Sequence, residues 1–133
     1  SYRLGIPAPG LFTKPLRGRY DDGHLDLMDH ISNYGATKSI SLDLACKMVG
    51  LVGKGEHSGA DVAAMVDEGR IEEIKTYCLS DVAQLGVLWS AVSLSTGWLT
   101  PALATLVEAA IWEAVDAVPG LAWMTDCPRR ASR

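Results

Sequence analysis

Residues 71–95 read Ile-Glu-Glu-Ile-Lys-Thr-Tyr-Cys-Leu-Ser-Asp-Val-Ala-Gln-Leu-Gly-Val-Leu-Trp-Ser-Ala-Val-Ser-Leu-Ser, and this stretch decides the architecture. Ile71, Ile74, Cys78, Val82, Leu85, Trp89 and Val92 recur at spacings of three and four, which is the signature of a helix with one apolar stripe. The helix is expected to start after Gly69, to reach about Ser95 ahead of Gly97, and to turn its stripe to the core. Tyr77 and Asp81 lie four residues apart, so their side chains leave one face of that helix, at the border of the stripe. A phenol and a carboxylate so placed read most simply as a half-buried tyrosine beside a solvated aspartate.

Outward from this helix, the punctuation is clear. Thr100-Pro101 joins an N-cap to a proline in the first turn, a start signal for a second helix through Leu106, Ile111, Trp112 and Val118. Its expected exposed strip is Glu108, Glu113 and Asp116, and Pro119-Gly120 is expected to end it. Towards the N-terminus, Ser41 caps a helix through Leu42, Ala45 and Met48 that Gly50 closes. Ser58 or Gly59 opens a short one stopped by Gly69. Leu25, Leu27 and their neighbours from His24 to Met28 alternate as a short strand would. A helical turn through Asp29-His30-Ile31 then ends at Asn33-Tyr34-Gly35. Residues 1–23 hold Pro7, Pro9, Pro15 and several glycines and read as an irregular connection, with Asp21-Asp22-Gly23 as a turn. The tail from Cys127 to Arg133 reads as loose, and Arg129-Arg130 as solvated. The expectation is a mostly α chain of about four or five helices with one or two short strands at most.

Composition narrows the class. The chain has 133 residues, 48% apolar and 21% charged, enough to bury a real core. A net charge of −4 is unlike a general nucleic-acid binder, but clustered carboxylates of a metal site lower the charge without forbidding a local basic groove. Cys46, Cys78 and Cys127 are odd in number and form no C-x-x-C pair, which fits free thiols in a reducing compartment. The apolar run from Leu85 to Val118 is broken by Gly97, Pro101, Glu108 and Glu113, so no clean membrane span is expected there. A cytoplasmic protein is the expectation. His24, His30 and His57 share no ligand spacing with a cysteine. Lys54, between Gly53 and Gly55, is a candidate phosphate contact, although Gly-Lys-Gly alone is no P-loop. Trp89, Trp98, Trp112 and Trp123 read as core rather than as base-stacking platforms.

The string Ile74-Lys75-Thr76-Tyr77-Cys78-Leu79-Ser80-Asp81-Val82 resembles the third exonuclease motif of the 3′-5′ exonucleases related to family B DNA polymerases. His24 to Asp29, Ser32 to Ala36, and Ser41-Leu42-Asp43 with Ala45 are similar to that family's central segment. Leu51 to Val62, with Gly53-Lys54 and Gly59, is similar to its next loop. The resemblance covers residues 20 to about 97, in order.

The resemblance implies that this is the C-terminal portion of an α/β ribonuclease H-like fold. It further implies two Mg²⁺ or Mn²⁺ ions held by four carboxylates, and phosphodiester hydrolysis from a single-stranded nucleic-acid 3′ end, with DNA favoured and the choice between DNA and RNA left open by the sequence. Asp81 matches the fourth metal-binding carboxylate and Tyr77 the tyrosine that orients the attacking water. Asp26 lies in a matching string but is not one of the four; it is a possible support whose ordinary reading is a capping aspartate. The first motif has no counterpart, and the second would fall ahead of Ser1. The expectation is therefore a fragment, inactive alone, with residues 1–97 as the exonuclease part and 98–133 as a helical extension. The competing reading is a non-catalytic binding or assembly module that meets a protein partner through exposed apolar helices. An unrelated helical domain is the third.

Overall fold

The computed structural model describes residues 25–55 and 57–131. The irregular stretch 1–23 with its Asp21-Asp22 turn, His24 and Arg133 lie outside the described residues. The chain divides into two compact units, residues 1–40 and 41–133. Among the described residues all regular structure is helical.

In the first unit, α1 spans Leu27–Ile31. The strand expected through Met28 is thus corrected: Asp26 adopts an extended conformation and its carboxylate accepts from the Met28 and Asp29 amides, at 2.9 and 3.2 Å, which starts a helix where alternation alone suggested a strand. The chain then passes through three left-handed residues, Asn33, Tyr34 and Gly35, at φ of 49°, 54° and 91°. This is the expected stop, spread over more residues than one glycine.

The second unit follows the punctuation. α2 is Leu42–Met48, with Ser41 Oγ accepting from the Leu44 amide, and Gly50 leaves it at φ +82°. α3 is Val62–Asp67, α4 is Ile71–Ser95, and α5 is Pro101–Asp116 under a Thr100 cap that accepts from the Leu103 amide. A 3-10 helix, Pro119–Thr125, and a short α6, Pro128–Ala131, complete the unit. α4 is its axis and packs against α2, α3, α5 and the 3-10 helix. By length and composition alone α4 could cross a bilayer, a property that core helices share.

The face that α4 buries is not the one its apolar periodicity marks. Ser80, Gln84, Val87, Leu88, Ser90 and Ser93 are buried. Ile71, Val82 and Leu85 of the stripe are 45%, 67% and 43% exposed, and Cys78 is exposed as well. Small residues decide this, because they let the neighbours come close. A Cβ on Gly86 would stand 3.0 Å from Ile111 Cδ1, and a Cβ on Gly120 would stand 2.9 Å from Thr76 Cγ2.

Two other readings are corrected by the same packing. Glu108, expected on the solvent strip of α5, is 1% exposed and accepts a hydrogen bond from Ser90 Oγ at 3.0 Å. Arg129, read as a solvated tail residue, clamps that carboxylate through Nε at 3.2 Å and Nη2 at 2.5 Å, while its amide donates to Gly50 O at 2.9 Å. Arg130 pairs with Asp116 at 2.8 and 2.6 Å and lies over the Trp112 ring. The C-terminal segment is therefore tied down by the turn after α2 and by α5.

Candidate functional site

The N-terminal half of α4 carries the candidate chemistry. Tyr77 is half-buried and Asp81 follows one turn later, between the buried face and the exposed apolar stripe. Burial first, and then hydrogen bonding and charge from the Asp81 carboxylate, push the Tyr77 phenol above its ordinary value. At neutral pH the phenol therefore keeps its proton and acts as a donor, not as a base.

Tyr77 also lines a cleft of about 820 Å³. One wall is α4, through Glu72, Glu73, Thr76, Tyr77 and Ser80. The loop after α2 supplies Val52, Lys54, Gly55 and His57, and the 3-10 helix supplies Gly120 and Trp123. The structure thus brings Tyr77 and Lys54 to one cavity. Asp81 is placed beside Tyr77 on the helix but is not among the residues lining the cleft. Asp26 belongs to the other unit, where its carboxylate caps α1.

Two residues that the sequence did not single out hold the Lys54 loop against α4. Gln84 is 2% exposed, and its Oε1 accepts from the Gly53 amide at 2.8 Å. Asp43 accepts from the Lys54 amide at 2.6 Å and from Lys47 Nζ at 2.8 Å. The Lys47 ammonium first, and then the Lys54 N–H, hold the Asp43 carboxyl below its usual range. Gly53 sits at φ +79°, and a Cβ there would meet Asp43 Oδ1, so the loop is built for glycine. The signal for Gln84 was its spacing, three residues after Asp81; for Asp43 it was the i,i+4 pairing with Lys47.

The acidic residues at the mouth are already engaged. Glu73 pairs with Arg70 at 2.7 Å and lies 3.7 Å from His57 Nε2, and Glu72 pairs with Lys75 at 2.6 Å. The Arg70 guanidinium holds the Glu73 carboxyl low. Among the described residues no three His, Cys, Asp or Glu side chains converge as a metal cluster would require. These residues do not by themselves fit a two-cation site.

A phenol and a carboxylate thus stand one turn apart on α4, beside a cleft whose loop wall carries a lysine. The comparison with known families makes this specific: the chain belongs to the predicted 3′-5′ exonucleases related to the exonuclease domain of PolB, whose family model matches residues 13–118. Neither the comparison with curated proteins nor that with solved structures gives a match.

Proposed function

We propose that this chain contributes the third-motif helix and the adjoining cleft to a metal-dependent 3′-5′ exonuclease acting on single-stranded DNA ends. The observation that carries the reading is the Tyr77–Asp81 pair on α4, inside the segment that belongs to the family. Asp81 would supply one carboxylate to Mg²⁺ or Mn²⁺, ions that favour hard oxygen ligands. The bound metal would supply charge stabilisation and an activated water. One carboxylate does not hold two cations, so the rest of the ligand set must come from outside residues 25–131. The Tyr77 phenol, kept protonated and hydrogen-bonded to Asp81, would orient the attacking water through its oxygen lone pair. The exposed apolar stripe of α4 agrees with a helix that rests on a sheet in the assembled ribonuclease H-like enzyme, because uncovered apolar faces of this kind mark an interface.

The test is Asp81→Asn in a form of the protein that cuts a 3′-labelled single strand with Mn²⁺. Hydrolysis should vanish while the helical circular dichroism stays unchanged; cutting at a normal rate would sink the assignment. The absence of a converging carboxylate set among the described residues favours a second reading, a non-catalytic assembly module. Calorimetric titration with Mn²⁺ separates the two. Binding that appears only when further carboxylates of the family are joined to this chain supports the nuclease, and no binding in either form supports the module.

A further inference from the structure

One face of α4 carries a polar seam that continues past the candidate pair. Tyr77, Asp81 and Gln84 follow one another at steps of four and three, so they descend a single face of the helix. The first two carry the candidate chemistry, whereas the third ends inside the protein. Gln84 is 2% exposed, and Val87 and Leu88 one turn further on are buried as well. A carboxamide there is costly unless it is bonded, and its Oε1 accepts from the Gly53 amide at 2.8 Å. The two partners lie 31 residues apart in the chain, so the bond joins segments that no local rule would bring together.

The bond meets the loop where the loop has least freedom. Leu51 and Gly53 are buried, and Gly53 stands at φ +79°. A Cβ on Gly53 would meet the Asp43 carboxylate and stand 2.8 Å from Lys47 Cε, so this backbone is wedged between α2 and α4. The next amide, that of Lys54, donates to Asp43 of α2 at 2.6 Å. Two successive amides are thus held by two different helices. Immediately beyond them, Lys54 and Gly55 form a wall of the cleft that Tyr77 also lines. The reach of Gln84 therefore sets where that wall stands relative to the phenol.

We propose that Gln84 is a positioning residue for the Tyr77–Asp81 pair: through the Gly53 amide it fixes the loop wall of the cleft against the helix face that bears the phenol and the carboxylate. Gln84 itself touches no reacting atom. The value of this role for hydrolysis rests on the nuclease reading, whereas the placement of the wall does not.

The test compares two variants of the 133-residue chain by NMR, at a temperature where circular dichroism shows both fully folded. Gln84→Met keeps the length of the side chain and loses the acceptor. Gln84→Glu keeps an acceptor oxygen in either protonation state. In Gln84→Met the Gly53, Lys54 and Gly55 amides should shift together with the Tyr77 ring, about two helical turns away. Gln84→Glu should return them towards their original positions. Gly53→Ala, which displaces the same loop from the α2 side, should also shift the Tyr77 ring, and adding Gln84→Met should move it no further than the larger single change. A shift confined to Gly53, with the Tyr77 ring unmoved, would make Gln84 a core residue only and overturn the proposal, as would fully additive shifts. In a form of the protein that cuts a 3′-labelled strand, Gln84→Met should lower kcat about tenfold with the folded fraction unchanged, the order that a small misplacement costs, and Gln84→Glu should recover most of it. Coupled shifts in a protein that never cuts would remove only the nuclease reading. Normal hydrolysis by a fully folded Gln84→Met would remove only this inference.

Discussion

α4 and its flanks carry two arginine–glutamate clamps, one at the start of the helix and one against its far half. Arg70 grips Glu73 through Nε at 2.8 Å and Nη2 at 2.7 Å, and adds Glu68 at 3.0 Å. Arg129 grips Glu108 with the same forked geometry. The Arg70 and Glu73 side chains are 37% and 49% exposed, whereas the Arg129 and Glu108 side chains are 23% and 2% exposed. Geometry does not separate these pairs; environment does. Water already solvates the first, so making the pair gains little. The second carboxylate has left water and depends on its partners. The far half of α4 is thereby locked to α5 and α6, while the half bearing Tyr77 borders an open cleft with solvated charges. Rigid support beneath an accessible site is how a scaffold positions reactive groups.

The largest expected effect comes from breaking the buried clamp. Arg129→Ala removes a forked charge partner from the buried Glu108 carboxylate and should cost about 3–5 kcal/mol in urea unfolding. A loss no greater than that of an exposed pair would mean that burial does not distinguish the two clamps. Next in size is Gln84→Ala, which leaves the Gly53 amide without its buried acceptor. It should cost about 1–3 kcal/mol and sharply speed hydrogen exchange at Gly53. Unchanged exchange there would show that the Lys54 loop is held by something other than Gln84.

A smaller effect should appear with pH. The Asp43 carboxyl is lowered from an ordinary value of 3.8, so its contribution is fully present above that value and is lost as pH falls through the lowered one. Acid should therefore loosen the Lys54 amide before the core unfolds, read by exchange at pH 4 and at pH 2. Asp43→Asn should flatten that dependence. The smallest effect is assigned to Arg70→Ala, which should leave the thermal midpoint within error, because both partners are solvated. A clear drop would mean that the exposed clamp supports the motif end of α4 after all.

Local signals in the chain were sufficient for the helices of the second unit. Ser41, Thr100-Pro101, Gly50, Gly69 and Gly97 act on backbone groups within a few residues of themselves, so their meaning does not depend on distant parts of the chain. The same locality made the Tyr77–Asp81 pairing legible, since four residues on a helix always return to one face. Family membership also followed from strings of residues in order, with no geometry needed. At the first helix the local reading failed. Two residue patterns competed at Leu27 and Met28, and the Asp26 cap outweighed the alternation.

What tertiary structure alone decided is the direction each face points. An apolar stripe says that one side of α4 would gain by burial; it does not say which neighbour the chain can bring to it. Gly86, Ser90 and Ser93 admitted close approach on another side, so the stripe stayed outward and Glu108 went in. The cleft is likewise unreadable from any single stretch, because its walls come from residues near 54, 77 and 123. Their meeting depends on where Gly53 bends, where Gly120 presses, and what Arg129 holds. Spacing along the chain encodes the turns of a helix, whereas contact between distant segments is encoded only in how their surfaces fit.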